Sequence, residues 1–246
     1  MIQAARQEGP QTAHPAAARA IPAAQNARGS GEALADLRFR TLLGVEGWAR
    51  LPAAVQARFA HRLHPGDAIT YVGEVTECRM RPAGWLLAQL ARLIGAPLPL
   101  GRDNGTAAVV SVTEDGASGG QVWTRIYARR RGFPQVIHSA KRFAGPTGLE
   151  EYLGAGFGIA LRVKAEADGI RFVSDHYFWR LGTLCLRLPR WAGHALGPGA
   201  LTIDHRDLAD GRFSFTLTLR HPLLGVLIRQ TCHFRDPVPA DEEIVP

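Results

Sequence analysis

Lysine is almost missing from this chain: of its 29 Lys and Arg residues only Lys141 and Lys164 are lysines. The formal net charge of +7 is therefore arginine charge. A bias toward Arg, Ala, Gly and Pro is what a GC-rich coding sequence produces without selection for binding. The charge alone thus reads as a basic surface face, and nucleic acid is not expected as a partner. Cysteine is scarce as well. Cys78, Cys185 and Cys232 are odd in number and far apart, with no CxxC. That pattern excludes a disulfide scaffold and a structural zinc site, and it fits a reducing compartment, so a cytoplasmic location is expected. No apolar run reaches the ~18 residues of a membrane span. The nearest, Trp85 to Leu100, is interrupted by Gln89, Arg92 and two prolines. The N-terminus lacks the compact apolar core of a signal peptide.

What the chain does have is enough apolar material for one large domain: 246 residues, 46% of them hydrophobic. Residues 1–33 hold almost no large apolar groups and cannot offset their ordering entropy, so disorder is expected there. Residues 34–237 read as a single, mainly antiparallel β domain, and 238–246 as an acidic tail. Leu51, Val55 and Phe59 recur at intervals of four and predict a short helix over Pro52–Arg62, with proline near its start. Leu86, Leu87, Leu90, Leu93 and Ile94 form one apolar stripe and predict a second helix over Gly84–Ile94. Pro97 and Pro99 end it. From Ile69 onward, apart from that helix, the texture is strand after strand. Asp168-Gly169 and Asp210-Gly211 each separate two alternating β-rich runs, the strongest short-range hairpin signal, and Asp115-Gly116 sits in a longer loop. Eight to ten strands in a meander predict a lipocalin-like barrel or strongly curved sheet. An α+β helix-grip fold is the alternative, disfavoured because no long C-terminal helix is visible.

Several motifs invite chemistry that their context denies. The GASGG of Gly116–Gly120 matches the GxSxG of serine hydrolases, but that motif needs a strand-to-helix turn, and here strands lie on both sides. The GAGFGIA of Gly154–Ala160 has Ile159 where a dinucleotide loop needs its third glycine, and a strand follows instead of a helix. Among the nine histidines, His61 and His64 are one helical turn apart, with Asp67 the only further ligand nearby. Asp175-His176 and Asp204-His205 are sequence neighbours on strands, where neighbours face opposite ways, so neither is expected to act as a dyad. No catalytic residue, metal or cofactor is assigned.

Two stretches carry the binding candidates. In GQVWTRIYARRRGFPQVIHSAKRF, alternation puts Trp123, Arg125, Tyr127 and Arg129 on one face and Val122, Thr124, Ile126 and Ala128 on the other. The apolar face suits packing under another element, and an inward Arg125 would suit a ligand bearing an anion or carbonyl. The aromatic run HYFWRLGTLCLRLPRW, His176–Trp191, reads as a core strand with a loop cap, or else as the mouth of an apolar pocket or a lip resting on a membrane surface. Trp123, Arg125, Tyr127, His138, Trp179 and Arg229 are the candidate ligand-binding residues.

The segments VWTRIY (122–127), LRLPRW (186–191) and DGRFSFTLTLRHPLLGVLIR (210–229) resemble the family named domain of unknown function 4166. The resemblance covers roughly Leu42 to Asp236, and Gln230-Thr231-Cys232 departs from the family's Tyr-x-Gly. It implies a bacterial module found alone or behind a saccharopine-dehydrogenase-like NAD(P)-binding domain, and it carries no established activity. Three functions stay open at this point. One is a non-catalytic binding module holding an apolar or amphipathic small molecule inside the barrel. Another is an accessory domain for a separate oxidoreductase, and the third is an enzyme with an unrecognised acid/base site.

Overall fold

The computed structural model describes residues 36–237. The disorder expected over 1–33 and the acidic tail of 238–246 lie outside the described residues. Two helices open the described chain, α1 (Arg38–Ala49) and α2 (Ala53–Ala60). Strand β1 (Ala68–Met80) leads into α3 (Pro82–Leu90), which tightens into a 3-10 turn over Ala91–Ile94. A run of hairpins follows: β2 (Thr106–Asp115), β3 (Gly120–Tyr127), β4 (Gln135–Arg142), β5 (Glu150–Gly154), β6 (Phe157–Glu166) and β7 (Gly169–Leu181). The short β8 (Leu184–Arg187) and a π-helical turn (Ala192–Leu196) precede β9 (Ala200–Asp207), β10 (Arg212–His221) and β11 (Gly225–Arg235).

Every pairing is antiparallel, and the order runs β6-β5-β4-β3-β2-β1-β11-β10-β9-β7. Strand β7 pairs back onto β6 along its length and closes a ten-stranded barrel. Closure removes the exposed edges that an open sheet would present for aggregation. Beyond the closed ring β7 continues as a hairpin with β8, pairing Phe178 to Arg187 and Leu181 to Leu184. The barrel expectation is met, with eleven strands among the described residues rather than eight to ten.

The two ends of the barrel differ. One end is plugged by α1 and α2. Phe39, fully buried, meets Phe59 and Phe143 edge-on at 5.0 Å, and Phe172 packs behind them. Burying each such ring contributes about 1.5–3 kcal/mol. Arg58 locks the plug with a two-pronged contact to Asp236 at 2.7 Å and a third bond to Asp207 at 3.0 Å. The sequence missed α1, because Phe39 and Gly47 are its only buried residues and leave no apolar stripe to read.

The other end is overhung by α3, the helix that the apolar stripe predicted. Only part of the leucine stripe packs: Leu87 and Ile94 are half-buried, Leu87 against the core. Gly84, Ala88 and, just beyond it, Ala91 are its buried positions, while Trp85, Leu86, Leu90 and Leu93 are exposed. The reason is steric. At Gly84 the helix backbone lies so close to β11 that an added Cβ would sit 2.3 Å from the Leu227 carbonyl oxygen. Only a small-residue face allows that approach, so Trp85, Leu86, Leu90 and Leu93 turn outward.

Candidate functional site

Alternation on β3 and β4, joined by Glu151 of β5, sends a polar set into the barrel interior. Gln121, Trp123, Arg125 and Tyr127 point inward from β3, while Val122, Thr124 and Ile126 point out. The small apolar face that the sequence assigned to packing is thus the outer one, because the barrel uses the larger side chains to fill its interior. From β4 the inward residues are Gln135, Ile137, Ser139 and Lys141. Register places Trp123 opposite Ser139, Gln121 opposite Lys141, and Lys141 opposite Glu151 of β5.

Cross-strand neighbours therefore build one buried charged cluster. Arg125 Nη2 donates to Ser139 Oγ at 2.8 Å, and Ser139 donates to Glu151 Oε1 at 2.7 Å. Lys141 Nζ lies 3.3 Å from the same carboxylate oxygen, and Arg125 Nη2 lies 3.7 Å from it. The Lys141 ammonium also sits 4.5 Å above the Trp123 ring, a cation–π contact. Lys141 is 1% exposed, Glu151 2% and Arg125 4%, so none of the three is rescued by solvent. Their hydrogen bonding is incomplete: Arg125 Nε, Lys141 Nζ and Glu151 Oε2 have no hydrogen-bond partner.

Electrostatics follow from this crowding. Burial opposes ionisation of Glu151, but the adjacent Lys141 and Arg125 outweigh it and hold the carboxyl below its usual range. Burial lowers Lys141, with the Glu151 charge offsetting part of that and Arg125 adding to it. With all three groups charged, two cations share one carboxylate in a low-dielectric interior.

Two cavities meet at Arg125. The larger, about 360 Å³, opens at the α3 end and is walled by Leu153, Ile159, Tyr177, Leu201, Ile203 and Leu217, with Arg125 and Glu151 as its charged lining. The smaller, about 40 Å³, lies toward the helix plug between Arg125, Gln121, Trp123 and His205. The fold thus offers an apolar cavity with two basic side chains and one carboxylate clustered at its inner end.

His205 has a separate effect. It stacks on Phe213 at 4.7 Å and meets Phe59 edge-on at 5.1 Å. Burial, with Arg58 nearby, pushes its imidazole down to about 3. The native state therefore keeps this histidine neutral while the unfolded chain takes up a proton below about 6.5. Stability is lost as pH falls from about 6.5 toward 3. In His205→Phe, the slope of unfolding free energy between pH 5.5 and 4 should fall by about 1.4 kcal/mol per pH unit relative to wild type, the worth of one proton. Urea unfolding at matched pH values checks it.

The structure separates the six candidates. Arg125 and Trp123 line the interior space, and Tyr127 is inward and buried near its α3 end. Trp179 stands at the rim, stacked on Phe157 at 5.9 Å and donating to the Ala155 carbonyl. His138 and Arg229 face outward. His138 pairs with Thr124 across the outer surface at 3.1 Å, because Ile137 and Ser139 take the inward positions. Arg229 lies 3.4 Å from Glu77 on the outer wall, because Ile228 and Gln230 turn inward. Gln121, Ser139, Lys141 and Glu151 escaped the sequence reading. The signal for Lys141 was there: one of only two lysines falls in the same alternating phase as Ile137 and Ser139.

The tempting motifs resolve similarly. Ser118 sits in the β2–β3 turn and donates to Asp115 at 2.6 Å, which with Arg142 holds that carboxyl below its usual range. The glycines of 154–158 make the β5–β6 turn and admit the Phe178 ring, which a Cβ on Gly158 would meet at 2.2 Å. Asp175 and His176 do touch, at 2.8 Å, contrary to expectation. A β-bulge opposite Ala160 and Leu161 leaves Asp175 unpaired and breaks the alternation. Asp204 binds Arg171 instead of His205. Among the described residues no group of three or more His, Cys, Asp or Glu is placed to hold a metal, and no helix is long and apolar enough to cross a membrane.

The fold and its interior define a closed antiparallel barrel with an apolar cavity and a buried charged group at its inner end. The family model described as domain of unknown function (DUF4166) matches residues 51–234, the whole barrel but for the last residue of β11, and the chain belongs to that family. Comparison with curated proteins gives no match.

Proposed function

We propose that the barrel is a binding module for an anionic amphiphile of the fatty-acid type, with the hydrocarbon chain in the larger cavity and the acid head at Arg125. The observation that carries this reading is the pairing of an almost wholly apolar cavity with two buried cations sharing one carboxylate. A cavity of about 360 Å³ falls inside the ~300–1,000 Å³ of small-molecule sites. A ligand carboxylate would give Arg125 the partner its Nε lacks and relieve the surplus positive charge. An accessory role beside a separate oxidoreductase predicts an apolar patch without a deep pocket, and the depth of this cavity favours the binding module.

Titration with a fluorescent polyene fatty acid tests the reading. Saturable binding of one molecule per chain is expected, with the matching long-chain alcohol binding more weakly. Arg125→Met leaves the Lys141–Glu151 pair in place and should lower affinity for the acid about thirtyfold, the worth of a roughly 2 kcal/mol charge-assisted hydrogen bond. Equal affinity for acid and alcohol, or no saturable binding, would reject the proposal.

A further inference from the structure

The large apolar side chains that the barrel leaves exposed are concentrated at one end. Of the twenty that stand out from the surface among the described residues, fourteen belong to α3 and its 3-10 turn, the β3–β4 turn, the start of β6, the β7–β8 hairpin with the turn after it, and the β10–β11 turn. These segments all meet at the open end. Leu93 is 84% exposed, Leu223 85%, Leu196 77% and Trp191 66%. Scattered exposed leucines need no explanation, but a contiguous rim of them marks an interaction surface.

Charge sorts the same way. The segments of the open end, residues 79–106, 127–135, 153–158, 179–200 and 219–226, contain a single carboxylate, Asp103. They carry arginine on every side of the mouth, with Arg92 beside α3, Arg131 in the β3–β4 turn, Arg187 and Arg190 at the β8 hairpin, and Arg220 at the end of β10, all exposed. The plugged end is mixed, with Asp36, Glu46, Glu114, Glu166, Asp168 and Asp210 among its arginines. The rim therefore combines protruding leucine and tryptophan with guanidinium groups and almost no negative charge.

We infer that this end docks on an anionic lipid bilayer, with the leucine and tryptophan side chains entering the acyl boundary and the arginines binding lipid phosphates. Two features favour a bilayer over a folded partner. The apolar groups stand on several separate short segments, and arginines alternate with them, which suits a surface that is apolar below and anionic above. The rim also surrounds the mouth of the larger cavity: Leu90 and Leu93 belong to both. Docking would place the cavity entrance against the phase in which its proposed ligand dissolves, so this inference rests on the binding-module reading for its purpose and not for its evidence.

Vesicle sedimentation with the full chain tests it. The protein should pellet with phosphatidylcholine vesicles containing 30 mol% phosphatidylglycerol and at least tenfold less with pure phosphatidylcholine. Raising salt from 0.1 to 0.5 M should cut partitioning at least fivefold, and brominated acyl chains should quench Trp85 and Trp191. The double variant Leu196→Asp/Leu223→Asp, altered at exposed rim positions outside the cavity wall, should lose vesicle binding at least tenfold. In the same preparations, fatty-acid titration in vesicle-free buffer reads the cavity on its own, so failure of docking and failure of the binding module are separable. No pelleting with anionic vesicles, or pelleting that the double variant leaves unchanged, would overturn the inference. So would a dimer in sedimentation velocity that the double variant dissociates while vesicles go unbound, since the rim would then be an interface between copies.

Discussion

Glu151→Gln should cost about 3–5 kcal/mol of folding stability, enough to remove much of the margin of an ordinary domain. Among the described residues the carboxylate is the only counter-charge paired with Lys141 and Arg125, and its loss leaves two basic groups unpaired in a dry interior. Lys141→Met should cost far less. It removes a cation whose protonation burial already disfavours and leaves the Arg125–Ser139–Glu151 chain of bonds intact. Replacing all three at once, Arg125→Met/Lys141→Met/Glu151→Leu, should be neutral or stabilising, as apolar substitution of buried ion pairs often is. Chemical denaturation of the four proteins checks the series. The triple variant has a second use: a barrel that stays folded without its charges can be tested for loss of acid binding, which separates a structural from a functional role. Were Glu151→Gln to cost less than about 1 kcal/mol, the cluster would be solvated or unpaired in solution, and the binding argument would lose its basis.

The second large effect is expected from filling the larger cavity. Leu217 lines it from β10. Leu217→Trp should project the added ring into space that is open, so the overpacking cost of about 1–3 kcal/mol should sit at the low end of that range. Ligand binding should fall at least a hundredfold. Thermal unfolding and fatty-acid titration, run together, check both halves. An unchanged affinity would mean that the ligand does not use this cavity.

Much of the architecture was legible because it rests on local chemistry. The Asp210-Gly211 hairpin is the clearest case: both residues adopt positive φ, at 51° and 66°, as a tight turn requires. The alternation of β3 placed Trp123, Arg125 and Tyr127 on one face, and that face is the interior. What alternation cannot say is which face turns inward, so His138 and Arg229 were grouped with residues on the opposite side of the wall. Lys141 and Glu151 were missed because their partnership depends on register between β4 and β5, which appears only when the strands pair. The orientation of α3 was not legible for a related reason. An apolar stripe normally marks the buried face, yet here the close approach at Gly84 selected the small residues and turned Leu86, Leu90 and Leu93 out.

The central claim, that an acid head sits at Arg125 with its chain in the barrel, is tested most directly by carbon-13 NMR of palmitate labelled at the carboxyl carbon. One equivalent bound to the protein should give a single resonance, distinct from free palmitate. It should keep its ionised shift on acidification below the pH where free palmitate protonates, because Arg125 and Lys141 favour the charged form. That resonance should vanish or titrate normally in Arg125→Met. A bound signal that titrates like free acid in the wild-type protein, or the absence of any bound signal, would contradict the account.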